Sequence, residues 1–368
     1  MQNVKANFKG DTLMKPNRNT RRNAMERITG IKWLAGLAMV CFFFVPCANP
    51  QTSQTAPAEG SAAAQQAPTP TGQQMTNAMY TAFGDNHSRA VHAKGILMQG
   101  TFTPDPAARS ITKAKLFTSQ ETTVLARFSD FTGIPTIPDN TMDANPRGMA
   151  VKFNVPDDNE VDVVMHSFDG FPTRTSAEFR ELLIAVGTSG KGVPKPTPLD
   201  TFLASHPIAK TFLTTQKQPP VSYATTAFFG VNSLKFTNSQ GQSTYVRYRF
   251  VPEAGEHYLD AATLRTKDAN YLQTEIKERL DKEPVTFIWY AQVAGPGDVI
   301  DDPSIAWPAT RTLVRLGVVT ITGLVPDQAS ADKKTLFLPG NLPDGMEAAD
   351  PMIQVRMESY PISYRHRQ

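Results

Sequence analysis

Arg356-Met-Glu-Ser-Tyr360-Pro-Ile-Ser-Tyr-Arg365-His-Arg367-Gln368 closes the chain and sets the reading of everything before it. An Arg four residues ahead of a Tyr places both side chains on one face of a helix. A phenol is ordinarily protonated at neutral pH, with a pKa of about 10. A guanidinium beside it favours the phenolate through opposite charge. A phenolate is a hard anionic ligand for ferric iron. Arg-x-x-x-Tyr alone also describes a surface Arg lying over a packed Tyr, so the rest of the chain has to decide.

Three upstream segments bear on it. Arg89-Ala-Val-His92-Ala-Lys-Gly95 offers an imidazole, which when neutral can take up and return a proton. Thr122-Thr-Val-Leu-Ala-Arg127-Phe-Ser129 is β-branched and apolar and reads as a buried strand. An Arg inside such a strand needs an anion. Asn145-Pro-Arg-Gly-Met-Ala-Val-Lys-Phe153 reads as a turn running into an alternating strand, and Asp162-Val-Val-Met-His166-Ser-Phe168 follows. Together with the C-terminal stretch these resemble the catalase family. Its R-x-V-H-A-K-G, R-F-S, D-P-R-G-F-A-V-K-F and R-x-x-x-Y-x-D-x-x-R-x-R motifs occur here in the same order. Asp302-Pro-Ser-Ile-Ala-Trp307-Pro308, Leu338-Pro-Gly-Asn-Leu-Pro-Asp-Gly345-Met-Glu347 and Phe236-to-Phe250 add weaker matches. The resemblance covers residues 77–368.

The resemblance implies an α+β fold, a catalase-like eight-stranded antiparallel β-barrel with surrounding helices, holding haem b. It implies Tyr360 as the axial iron ligand, stabilised by Arg356. His92 would be the acid–base residue on the opposite face, with Ser129 fixing its tautomer. Arg89, Arg127 and Arg367 would hold the haem propionates. Two positions depart from the family. Ile362 replaces the usual Asp, and His166 stands where catalases carry an Asn that helps hold peroxide. A second imidazole there can still hydrogen-bond peroxide but would alter the oxidation of a second peroxide molecule. No helical domain follows Gln368, so the resemblance is to the minimal, catalase-related peroxidases, and neither a tetramer nor an NADPH site is carried over. The expected function is reduction of hydrogen or organic peroxides by a small organic electron donor, with weak or no catalase turnover. The alternatives are a true catalase, a haem enzyme of fatty-acid hydroperoxides with Met165, Phe168 and Phe171 lining an apolar channel, and a non-catalytic exported haem-binding barrel.

Charge and cysteines fit this frame. The net charge of +3 belongs to the N-terminus: residues 1–50 carry eight Lys/Arg and two Asp/Glu, and residues 51–368 net −3. No basic patch argues for nucleic acid. After Lys32 come about fifteen apolar residues, short for a spanning helix and right for a signal-peptide core. Residues 1–48 therefore read as a signal peptide or a retained membrane anchor, with Met25 an alternative start and Cys47 or Ala58 the candidate cleavage points. The protein would be exported, periplasmic or anchored facing the periplasm. Both cysteines, Cys41 and Cys47, lie in this segment, which leaves the rest without disulfide, thiolate ligand or zinc site.

Residues 49–76, rich in Gln, Thr, Ala and Pro, read as a disordered linker. The haem-binding domain is placed at 77–368. Strand signals fall at 122–129, 148–155, 160–167, 222–229, 243–251, 284–293 and 313–322. Thr175-Ser-Ala-Glu178 predicts a capping box. Leu272, Ile276 and Leu280 mark a helix with Asp268 as N-cap, and a final helix starts near Asp350-Pro351 and ends near Pro361.

Overall fold

The structure, a computed structural model, describes residues 67–155 and 160–368. The signal or anchor segment and the linker up to residue 66 lie outside the described residues. Among the described residues nine strands run β1 Gly95–Pro104, β2 Thr122–Ser129, β3 Gly148–Phe153, β4 Val161–His166, β5 Phe228–Thr237, β6 Ser243–Pro252, β7 Val285–Val293, β8 Leu313–Leu324 and β9 Met346–Ala348. Among the described residues the α-helices are α1 Gly72–Phe83, α2 Ser176–Thr188, α3 Pro198–Ser205, α4 Pro207–Thr214, α5 Ala261–Thr266, α6 Tyr271–Leu280, α7 Gln328–Lys334 and α8 Met352–His366.

Strands β1 to β8 pair antiparallel in chain order, β8 returns to β1, and β4 meets β5, so eight strands close into a barrel with β9 laid on the edge of β5. The β4–β5 closure rests on one pair, His166 with Phe229. Period-two alternation decides which side chains enter the barrel. Phe102, Phe128, Phe153, Phe250 and Trp289 point inward and are fully buried. Trp289 has five aromatic rings around it, those of Phe153, Tyr248, Phe250, Phe117 and Phe102, at 5.0–5.5 Å. Burying such side chains stabilises by about 1.5–3 kcal/mol each.

The opposite face of β2–β4 carries the candidate site. Gly95, Ser129, Gly148, His166 and Phe229 form one cross-strand row over β1–β5. Arg127, two residues before Ser129, pairs with Ala150 two rows along. Helices α1 and α8 cover this face. They approach closely at Gly72, where a Cβ would lie 2.5 Å from Glu358 Cβ, and Thr76 Oγ1 donates to the Ser359 carbonyl at 3.3 Å.

Four boundaries differ from the sequence reading. Helix α1 starts inside the stretch read as linker. Its polar residues hide a capping box, with Thr71 and Gln74 satisfying each other's backbone N–H groups. The strand expected at 222–229 begins only at Phe228, because Ser222 caps a 3-10 turn over Tyr223–Thr225. Asp268 does not cap α6 directly: its carboxylate accepts from Asn270 N, which precedes the helix. Helix α8 runs through Pro361 to His366. Proline removes one helical hydrogen bond, but the following turn is held from outside. Ser363 Oγ accepts from Ala90 N at 3.1 Å, and Arg367 donates to the Thr335 carbonyl at 2.7 Å.

Candidate active site

One wall of the site is made by the barrel and the loop before β1. His92 sits at φ 56°, a left-handed conformation uncommon for a residue with a side chain. Backbone bonds from His92 N to the Phe131 carbonyl and from Ala93 N to the Thr132 carbonyl, both 2.9 Å, hold it there. Its Nδ1 lies 3.1 Å from Ser129 Oγ. Gly148 makes that contact possible, since a Cβ at this position would lie 2.5 Å from both atoms. Phe131 stands edge-on to the imidazole at 5.6 Å. Burial, then the nearby His166, Arg127 and Arg356, push the His92 imidazole down to about 3, so it is neutral at physiological pH.

His166 ends β4 on the same wall. It is 8% exposed, and burial followed by Arg356 lowers it to about 3 as well. Its Nδ1 accepts from Phe168 N at 3.3 Å, while its Nε2 is buried with no partner. Beneath both histidines lies a buried ionic lattice. Arg147 bonds Asp130 and donates to the Asp139 carbonyl at 2.6 Å, and Lys94 bonds Asp139. Tyr223 donates to Asp130 at 3.2 Å. Buried charges persist only when paired in this way.

The facing wall is α8. Arg356 and Tyr360 share a helical face, and Arg356 Nε donates to Tyr360 Oη at 2.9 Å. Arg356 is itself aimed by Asn232 of β5, whose Oδ1 accepts from it and whose Nδ2 donates to Asp350 at 2.7 Å. Two adjoining cavities of about 650 and 760 Å³, counting space open to solvent, separate the walls, and both are lined by His92 and Tyr360.

At one edge the guanidinium groups of Arg89, Arg127 and Arg367 converge on α7. Asp332 forms ion pairs with Arg89 at 3.3 Å and with Arg127. The Thr335 carbonyl accepts from Arg89 at 2.9 Å and from Arg367 at 2.7 Å. Burial alone would raise the Asp332 carboxyl, but Arg127 and Arg89 outweigh it and hold it at about 2. Desolvation and the neighbouring Arg127 draw Arg89 down to about 9.

This arrangement agrees with what the chain is similar to. The catalase family model matches residues 45–368. The chain belongs to the catalase family. It is 33% identical over 301 residues to a catalase-related peroxidase of Synechococcus elongatus, covering 80% of this chain and 88% of that one. It is 36% identical over 283 residues to a catalase-related peroxidase of Mycolicibacterium paratuberculosis, covering 76% and 88%. Among solved structures, a fungal catalase at 22% identity superposes with a TM-score of 0.67 over 76% of this chain and 59% of its own. Catalase A of Saccharomyces cerevisiae does so at 0.66 over 76% and 61%, also at 22% identity. The chain is thus an oxidoreductase acting on peroxide, and catalase membership implies a haem cofactor.

The donor set fits that group. A phenol oxygen faces a neutral imidazole across an apolar cleft whose sides include Val91, Val164 and Phe337. Three guanidiniums meet one carboxylate at the edge, leaving two positive charges to match the two carboxylates of a haem. The Nε atoms of Arg89 and Arg367 are buried without a partner.

Of the residues singled out in the sequence, His92, Ser129, Arg127, Arg89, Arg356, Tyr360 and Arg367 all come to this cleft. His166 reaches its far side, beside Phe171 and Phe212 at 6.3 and 6.1 Å. Arg365 is exposed. Met165 belongs to the barrel core but also lines both cavities, and Phe171 lines the second, whereas Phe168 packs on Phe212 at 5.0 Å and lines neither. Three residues escaped the reading. Asp332 lies in a short acidic and basic stretch that looks like ordinary solvated helix. Asn232 lies in a strand and has no local signal. Gly148 belongs to a motif read only as a turn, although a glycine opening a strand marks a close approach.

Proposed function

We propose that the protein is an exported, haem b-dependent peroxidase that reduces hydrogen or organic peroxides with a small organic electron donor and has little catalase turnover. The observation that carries this is the pairing of His92, fixed by Ser129, with Tyr360, fixed by Arg356, across one cleft. Haem b rather than a covalently attached haem is favoured because the only cysteines are Cys41 and Cys47, outside the domain that holds the cleft. The basic stretch and apolar run of the first 48 residues support export.

When bound, the haem supplies the iron and the two-electron redox capacity. The chain's residues do the rest. Tyr360 Oη would ligate the iron, held in place by the Arg356 Nε donor at 2.9 Å. Arg89, Arg127 and Arg367 would anchor the carboxylates. If His92 Nδ1 donates to Ser129 Oγ, its Nε2 is the free acceptor on the cavity side. It then takes the peroxide proton and returns it to the leaving oxygen, so that one water or alcohol departs. Burial keeps the ring neutral and able to do so. His166, with its unpartnered Nε2, would hold the peroxide in place of the usual amide. An imidazole is bulkier than that amide, which supports donor-driven turnover over oxidation of a second peroxide.

The test is reconstitution of the protein with haem, wild type and Tyr360→Phe, followed by visible spectroscopy and by parallel measurement of donor oxidation and oxygen release. Loss of the high-spin ferric spectrum in the variant, with donor oxidation exceeding oxygen release in the wild type, is expected. A spectrum indifferent to Tyr360 would sink the ligand assignment, and dominant oxygen release would return the protein to the true catalases.

A further inference from the structure

A second chamber lies outside the distal wall, between α2, α3, α4 and the segment 131–145. It encloses about 1230 Å³, counting its open part. It shares Phe131 and Phe179 with the cavity that holds His92 and His166. Two of its aromatics touch the histidines directly: Phe131 is edge-on to His92 at 5.6 Å, and Phe212 is edge-on to His166 at 6.1 Å. The chamber and the reaction pocket are neighbouring rooms with a common wall.

Hydrogen peroxide does not need such a room. A water occupies about 30 Å³ of liquid, and peroxide is only about twice that. Pockets for organic ligands are lined mainly by apolar and aromatic side chains. The walls are correspondingly apolar, with Leu182, Leu183, Leu199, Leu203 and Leu213 facing the phenylalanines. Among the described residues no Lys, Arg or His lines the chamber. Asp143 is its one ionisable group, and it forms no ion pair among the described residues. Burial pushes its carboxyl up to about 6, so near pH 8 it is an unpaired anion.

We propose that this chamber binds the hydrocarbon part of a neutral aryl or alkyl hydroperoxide, and that Asp143 turns away hydroperoxides carrying a carboxylate. The inference rests on the reading of the His92 cleft as a peroxide site. Each methylene moved from water into such a chamber raises affinity about fourfold. A carboxylate would enter with no cation to pair and an anion already present, and both effects oppose it. Free fatty-acid hydroperoxides are therefore poor occupants, whereas their esters are acceptable ones.

The experiment uses the haem-loaded protein near pH 8 and unreactive alcohols as probes. Calorimetry compares cumyl alcohol with 4-carboxycumyl alcohol. Peroxidase assays then compare KM for cumene hydroperoxide with KM for hydrogen peroxide. Cumyl alcohol is expected to bind at least tenfold more tightly than its carboxylated form and to compete with cumene hydroperoxide. Asp143→Asn should bring the two alcohols within about threefold of each other. Leu203→Trp, at a half-buried lining position, should remove alcohol binding and raise KM for cumene hydroperoxide about tenfold, leaving KM for hydrogen peroxide and the haem spectrum unchanged. Leu213→Trp repeats the test from α4 if the first variant folds poorly. Normal hydrogen peroxide turnover without cumyl alcohol binding would overturn the chamber assignment alone. Alcohol binding without turnover of either peroxide would overturn the peroxidase reading, and hydroperoxide as the occupant with it. Equal binding of the two alcohols would overturn the role given to Asp143.

Discussion

The two walls of the cleft solve opposite electrostatic problems with different architecture. The barrel wall presents two imidazoles whose charged forms are suppressed by burial: His166 ends β4, and His92 stands in the loop before β1, tied to β2 through Ser129. The α8 wall presents a chain of charged and polar groups, from Asp350 through Asn232 and Arg356 to Tyr360. A proton-transfer residue must be neutral to start, so it belongs where water is scarce. An anionic ligand must be kept charged, so it needs a fixed cation beside it. Sheet and helix divide that work because a strand row fixes distances across the chain, whereas a helix fixes them along it.

The contrast can be broken most strongly on the barrel wall. His92→Ala is expected to lower peroxide reduction by about 10²–10⁴-fold with haem uptake and the ferric spectrum unchanged. Rapid-mixing spectroscopy of the peroxide reaction checks it, and a comparable loss of haem uptake would mean that the two walls are not separate in function. A smaller effect is expected at the cleft edge. Asp332→Asn removes the carboxylate that partners Arg89 and Arg127. It should destabilise the haem-free protein by about 1–3 kcal/mol, with a smaller loss in the haem-loaded form, where two added carboxylates take over. Urea unfolding of both forms measures the difference.

Acid sharpens the comparison further. His92 and His166 titrate near 3 in the folded protein against about 6.5 when unfolded. The unfolded chain therefore takes up their protons first, and stability falls as pH drops below about 6.5 and continues to fall towards 3. Each histidine contributes a slope of up to about 1.4 kcal/mol per pH unit in this window. Asp332, held at about 2, adds stability above about 4 that disappears only as pH falls through 2. Buried carboxylates such as Asp143, raised to about 6, oppose this below pH 6 in both proteins, so lowering pH from 7 to 4 should cost the haem-free His166→Asn protein less stability than the wild type, read from their unfolding midpoints. The same variant gives the smallest predicted change in turnover, a several-fold rise in the ratio of oxygen release to donor oxidation. An unchanged ratio would remove His166 from the peroxide site.

The barrel was legible because alternation and β-branched runs are local signals, and β2, β3, β4, β6, β7 and β8 all carry them. Strand β1 was missed because Gly95, Gly100 and Pro104 dilute its pattern. The site was legible where one motif holds both partners, as in Arg356 and Tyr360. It was less so where partners come from distant segments. Arg89, Arg127 and Arg367 each announce the need for an anion, but nothing local says that Asp332, more than two hundred residues from the first two, supplies part of it. Asn232 shows the same gap: its meaning comes from α8 packing over β5, which no window of sequence contains.

One closure carries more than topology. Where seven of the eight neighbouring strand pairs run over many residues, β4 and β5 join at the single pair His166 and Phe229. That end of the barrel has a hinge line rather than a weld. Sliding these two strands past each other would widen or narrow the mouth without unzipping any other ladder. The residue at the hinge is also the one whose imidazole looks into the cleft, so a mechanical degree of freedom and a chemical group coincide. Amide hydrogen exchange at His166 and Phe229 should be faster than in the centres of β2 and β7, and should slow when haem fills the space behind them.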